Sequence, residues 1–147
     1  MSGDAGVERR IRASFDKQGL MRTLGATLTR VVLGEAEIAL APRAAISQQH
    51  GFVHAGAVAA IADSAAGYAA LSLMPEGRGV LTAEFKINLL APAAGDRIVA
   101  RGRVVKAGRT LTLAQSDVFA ENDGRERLIA VLTATMMAIE GRDGVTD

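Results

Sequence analysis

Apolar and polar positions alternate along this chain with two different periods, and the change between them marks its elements. Val7, Ile11 and Phe15 recur at helical spacing among Glu8, Arg9, Arg12, Asp16 and Lys17, which predicts a short amphipathic helix over Val7–Gln18, stopped by Gly19. Leu24–Leu33, with Thr27, Thr29, Val31 and Val32, and the alternating Glu35–Leu40 read as the strands of a hairpin turning at Gly34. Pro42 closes the second strand, and Arg43–Val53 reads as a loop. Later, Val80–Leu90 stops before Pro92. Asp96–Lys106 alternates Ile98, Ala100, Gly102 and Val104 against Val99, Arg101, Arg103 and Val105. Thr110–Glu121 joins it through Ala107-Gly108, and Arg127–Ile139 follows the turn signal Asn122-Asp123-Gly124.

Between the early hairpin and these strands the alternation stops. From Gly56 to Met74 the chain is nearly all alanine, glycine and aliphatic residues, which predicts one long, narrow helix ended by Met74-Pro75-Glu76-Gly77-Arg78-Gly79. Asp63 is the single charged side chain between Ser47 and Pro75. A helix apolar all round has to be surrounded by protein. Antiparallel hairpins dominate the rest, so the fold class is α+β, with an antiparallel sheet curled around the central helix. Residues 1–147 form one domain, with an N-terminal helical segment over 1–19 and a polar tail over 140–147.

Composition narrows the function classes. A net charge of +1, one Tyr and four Phe leave no basic field or stacking platform for nucleic acid. With no cysteine there is no disulfide, thiolate metal site or cysteine nucleophile, which fits a reducing cytoplasm. Met1–Arg12, with Asp4, Glu8, Arg9, Arg10 and Arg12, does not read as a signal peptide, and Asp63 argues against a membrane span in the central helix.

Asp63 is the first candidate for chemistry. A carboxylate inside apolar packing is costly, so it is either satisfied structurally by Ser64 or backbone donors, or it is a poorly solvated base or nucleophile. His54 precedes it by nine residues, which on one helix is about half a turn round and about 13 Å along the axis. The two cannot then meet at one substrate atom within one chain. Either His54 is structural, or the site is shared by two chains across a two-fold axis. The helix start offers the free N–H groups of Ala55 and Gly56 to a developing oxyanion. His50 and His54 have a metal-ligand spacing but no further ligand nearby, so no metal and no cofactor is expected. A serine-hydrolase elbow is missing, and Gly77-Arg78-Gly79 is too short for a phosphate loop. Lys106 and Arg109, with Arg101 and Arg103, form a basic edge that is either a solvated face or a phosphate contact.

The spacing Gln48-x-x-Gly51-x-x-His54-Ala55-Gly56, with Asp63 nine beyond the histidine, resembles the hotdog-fold acyl-CoA thioesterases of the phenylacetic-acid-degradation (PaaI-like) type. Thr82–Pro92, Gly95-Asp96 and Lys106–Thr110 are similar to that family's later strands, so the resemblance spans about Leu20 to Ile139. It implies five or six antiparallel strands around the long helix, and a homodimer or homotetramer with active sites at the dimer interface. It implies an acyl-CoA substrate, Asp63 as base or nucleophile, and the Ala55 amide on the thioester carbonyl. Gln48 stands where the family has Asn and would place water or the carbonyl. Thr82 would hydrogen-bond the attacking water, and His54 would support the loop or polarise the carbonyl. Gly56 would belong to the substrate-binding helix start. Phe52, Val58, Ile61 and Leu81 would shape an apolar acyl slot, and Lys106 and Arg109 would meet the CoA phosphates. Ala55 in place of the family's first Gly and Gln48 in place of Asn are departures. They keep a second reading open, a non-catalytic acyl-CoA or lipid-binding module. A hydratase is a third reading, and it would need His50 or His54 beside Asp63.

Overall fold

A computed structural model describes residues 2–147; Met1, placed in the N-terminal segment above, lies outside the described residues. The elements are helix α1 (Ser2–Asp16), helix α2 (Gly19–Leu24), strands β1 (Thr27–Val32) and β2 (Glu35–Leu40), a single 3₁₀ turn (Ala44–Ile46) and the long helix α3 (Ala55–Ser72). Strands β3 (Gly79–Leu89), β4 (Arg97–Lys106), β5 (Leu111–Asn122) and β6 (Arg125–Ile139) complete the chain. All six strands join one antiparallel sheet in the order β1-β2-β4-β5-β6-β3.

The N-terminus departs from expectation. Gly19 does not end the helical region; it opens α2, which the sequence pattern left unassigned. Buried Met21 and Leu24 anchor that turn, and Gly25 ends it at φ 67°, with the Gly25 and Ala26 amides donating back to the carbonyls of Arg22 and Met21. Leu24 therefore belongs to α2, and the first strand begins only at Thr27.

The concave face of the sheet holds α3. Ile61, Ala62, Ala65, Ala66, Ala69 and Ala70 are fully buried, because small side chains let the helix backbone lie close against the strands. Gly102 on β4 sits directly under Ala65, where any Cβ would collide with the Ala65 carbonyl and the Ala66 nitrogen. Its register partner on β5, Ser116, is wholly buried and donates its hydroxyl to the Ala62 carbonyl at 2.6 Å. These two residues hold the helix at the turn that carries Asp63.

The other side of α3 is covered by α1, whose Phe15 ring lies 6.0 Å from that of Tyr68. Arg10 of α1 donates to the carbonyls of Leu71 (2.7 Å) and Met74 (3.0 Å), a cation satisfying the last acceptors of α3. The Gly34 amide in the β1–β2 turn donates to Ser72 Oγ at 2.7 Å, tying the same end of the helix to the hairpin.

The sheet has two edge strands, β1 and β3. β3 pairs only with β6, and residues 81–86 along it are all exposed, including Leu81 and Phe85, each at 46%. The tail expected at 140–147 is polar, but it folds back against the start of β3.

Adding a single methyl at Gly102 tests the helix–sheet contact. Gly102→Ala forces α3 away from β4 and is expected to cost about 1–3 kcal/mol or more, read as a lowered midpoint in urea unfolding.

Candidate active site

Two cavities flank α3, one at its start and one at its middle. The loop into the helix is folded by its own amides. The Gln48 amide donates to the Phe52 carbonyl (2.8 Å), and the Gly51 amide to the Gln48 carbonyl (3.0 Å), with Gly51 at φ 87° as only glycine adopts readily. The Gln48 side-chain oxygen accepts from the His50 amide at 2.5 Å, so its carboxamide nitrogen remains for a ligand. His54 is the N-cap of α3, at φ −58° and ψ 138°. Its Nδ1 accepts from the Gly56 amide at 2.7 Å, which requires a neutral imidazole with its proton on Nε2.

That bond separates two groups which the sequence reading took together. The Gly56 amide is used within the loop, and a Cβ on Gly56 would lie 3.0 Å from His54 Nδ1, so this glycine accommodates the imidazole. The Ala55 amide has no acceptor among the described residues, which leaves it as the helix-start donor. It faces a cavity of 540 Å³ lined by Gln48, Phe52, Val53, His54, Ala55 and Val58 from the loop and helix, and by Leu89 to Ala93 and Ile129 from the sheet end.

Asp63 projects from the middle of α3 toward β3. Thr82, on the open strand, donates its hydroxyl to Asp63 Oδ1 at 2.7 Å. Burial is the main influence on this carboxyl and raises its pKa; the Thr82 hydrogen bond pulls the other way and does not cancel it. Ser64 does not satisfy Asp63; its hydroxyl points to Gln18. The surrounding cleft measures 360 Å³ and is lined by Val80, Leu81, Thr82, Met136, Gly67 and Tyr68, with Ser14 of α1, Lys17 and Gln18 just after it, and Asp147 of the tail. Burial also raises the pKa of Tyr68, against its hydrogen bonds with Ser14 and Gln18, so its phenol stays protonated at neutral pH.

Gln48, Phe52, His54, Ala55 and Val58 thus gather at one cavity, while Asp63, Thr82 and Leu81 gather at the other. Neither cavity of a single chain holds both Asp63 and the Ala55 amide. Ile61 is corrected: it is completely buried against the sheet and lines neither space. Lys106 and Arg109 are exposed and also lie outside both. Arg78, overlooked in the sequence, joins them by donating to the Arg109 carbonyl at 3.3 Å. Arg101 does not belong to a free basic edge. It bonds Glu37 (2.8 Å) and Glu126 (2.5 Å) and lies 4.9 Å above the Phe119 ring on the outer face. The described residues contain no cluster of three or more His, Cys, Asp or Glu that could hold an ion. No helix among them is long and apolar enough to cross a membrane.

Comparison with known proteins places this geometry. Residues 50–126, just over half of the chain, match the family described as the thioesterase superfamily. A thioesterase family protein from Silicibacter pomeroyi, known from its crystal structure, is 50% identical, with a TM-score of 0.90 over 92% of this chain and 99% of its own. The PaaI protein of the Escherichia coli phenylacetic acid degradation operon shares the fold at 20% identity, with a TM-score of 0.84 over 94% of this chain and 96% of its own. A Halobacterium salinarum protein that is an esterase by name is 29% identical over 118 residues, which are 77% of this chain and 78% of that one.

The raised pKa of Asp63 has a signed consequence for stability. Between the ordinary value of 3.8 and the raised folded value, the folded chain keeps a proton that the unfolded chain has released, so stability falls as pH rises through that window. Above the window the penalty is complete. Asp63→Asn is therefore expected to melt at a higher temperature than the parent at pH 7, and the gap should close as the pH is lowered toward 3.8, measured by calorimetry at stepped pH.

Proposed function

Because the chain belongs to the thioesterase superfamily and is a hydrolase of thioesters, we propose that its substrate is an acyl-CoA, split to a free acid and CoA in a site shared by two copies of the chain. The observation that carries this reading is the placement of the two cavities at opposite ends of one open strand. Val80, Leu81 and Thr82 at the start of β3 wall the Asp63 cleft, and Leu89 at its end walls the helix-start cavity. Pairing β3 with β3 of a second copy is antiparallel under two-fold symmetry, so each start meets the partner's end. That pairing brings Asp63 of one chain to the Ala55 amide of the other. It also covers Phe85 and Leu89, which lie open to water on the helix side of the sheet at 46% and 53% exposure.

In such a site the thioester carbonyl accepts the Ala55 N–H, and negative charge develops on its oxygen beside the positive end of α3. Asp63 takes a proton from water that attacks the carbonyl carbon, or attacks it directly to give an anhydride that water then opens. The thiolate is a good leaving group, so one carboxylate and one oxyanion donor suffice. Thr82 acts on the carboxylate, fixing Oδ1 so that Oδ2 is free for water. His54 holds the helix start, and Gln48 offers its amide nitrogen toward the carbonyl or the water. Phe52, Val58 and Leu81 give the shared slot its apolar lining. Lys106 and Arg109 receive the CoA phosphates outside it. The exposed outer-face neighbours Met137 and Leu111 suit a further pairing of dimers into a tetramer. The cysteine-free chain is suited to working in the cytoplasm.

A pair of complementary variants tests the sharing. Proline is tolerated at the first helical position and removes only the amide proton, so Ala55→Pro deletes the oxyanion donor with little disturbance. Asp63→Asn and Ala55→Pro are each expected to lower kcat by about 100-fold or more with an acyl-CoA substrate. Refolded together in equal amounts, they should recover up to about a quarter of parental thiol release, since half the dimers are mixed and each mixed dimer has one intact site. Sites contained within one chain would recover nothing.

A further inference from the structure

Asp63 and Thr82 occupy one end of the 360 Å³ cleft, and the chemistry above leaves its other end without a task. That end is assembled from three distant pieces of chain: Ser14 of α1 with Gln18 at the start of α2, Tyr68 of α3, and Asp147 beyond β6. Their hydrogen bonds have a direction fixed by counting protons. Ser14 Oγ lies 2.5 Å from Asp147 Oδ1, and a carboxylate only accepts, so the one serine proton is spent there. The 3.3 Å contact between Ser14 and Tyr68 therefore has the phenol donating. The Gln18 amide nitrogen donates to the phenol oxygen at 2.7 Å, and Ser64, next to Asp63, donates to the Gln18 carbonyl at 3.4 Å. The series runs one way from Ser64 to Asp147 and ends on a carboxylate whose second oxygen has no hydrogen bond among the described residues.

The segment that brings Asp147 there is docked at two further points. Glu140 pairs with Arg78 at 2.9 Å. At Gly79 a Cβ would lie 2.8 Å from Val145 Cγ1 and 2.9 Å from the Val145 carbonyl, so glycine leaves room for the segment to cross the first residue of β3. Thr82 follows three residues later on the same strand, which places the crossing beside the catalytic carboxylate.

We propose that this polar end wall selects the acyl group: the enzyme favours short acyl chains that carry a hydroxyl or similar hydrogen-bond donor at their far end, and Asp147 is the acceptor that reads it. The proposal rests on the reading of Asp63 as the catalytic group. In this proposal Phe52 and Val58 line the slot around the carbonyl itself, and the acyl chain beyond it passes Leu81 into this cleft, while the phosphate-bearing arm is matched by Lys106 and Arg109 outside it. A terminal hydroxyl completes the series by donating to Asp147. A longer alkyl chain strips water from Asp147 and from the Ser14–Tyr68 pair and returns no hydrogen bond, and a site with buried polar groups rejects such a ligand strongly.

Two full-length variants separate reading from wall. The parent is expected to show kcat/KM about tenfold or more higher for 6-hydroxyhexanoyl-CoA than for hexanoyl-CoA, and Asp147→Ala should abolish that preference. Gly79→Ala pushes Val145 off the strand and should raise decanoyl-CoA relative to hexanoyl-CoA by about tenfold. If the parent treats the hydroxylated and plain chains alike, or both variants keep the parental profile, the proposal is overturned. The same ranking is expected in calorimetric binding of nonhydrolysable thioether analogues to Asp63→Asn. A chain that ranks these analogues as described but releases no thiol in parental form would refute the catalytic role of Asp63 and leave the end wall standing.

Discussion

The closeness of α3 to the sheet is the constraint on which everything else depends. A helix of alanines can lie with its backbone almost against β4 only because Gly102 offers no side chain beneath Ala65, and Ser116 then reaches the Ala62 carbonyl from β5. Contact of this kind fixes both height and rotation. It leaves Asp63, one residue after Ala62, no way into the sheet, and so the side chain emerges sideways toward β3, half-buried and held by Thr82. The tight packing and the half-buried carboxyl are therefore one arrangement: the wall that removes water from Asp63 also aims it.

A rigid helix also sets how far apart its parts must be. The Ala55 amide and Asp63 are eight residues apart, or about 12 Å along the axis, which no side-chain motion closes. A chain built this way must either leave one group idle or bring a second copy alongside. The open edge of β3 is the feature that favours the second outcome, because an unpaired strand with Leu81 and Phe85 in water invites association unless something covers it.

Much of this was readable from residue order. Alanine and glycine mark α3, and turns at Gly34, Ala107-Gly108 and Asn122–Gly124 separate strands whose alternation is plain; β2 has the expected limits of Glu35–Leu40. The elements that were misread are short or ambiguous. Six residues from Gly19 to Leu24 give barely more than a turn and a half of pattern, and a glycine that opens a helix looks locally like one that closes it. Arg101 looked like part of a basic edge because its partners, Glu37 and Glu126, lie 64 and 25 residues away. The far end of the Asp63 cleft was illegible for the same reason, since Ser14 and Asp147 are separated by 133 residues. Ile61 was expected in the acyl slot but is buried against the sheet; which face of an all-apolar helix meets the sheet is decided by Gly102, not by the helix itself.

The bond from the Gly56 amide to His54 Nδ1 fixes which side of the imidazole is left over. With that lone pair committed to the helix start, only the Nε2 side of the ring is offered to the cavity that His54 lines.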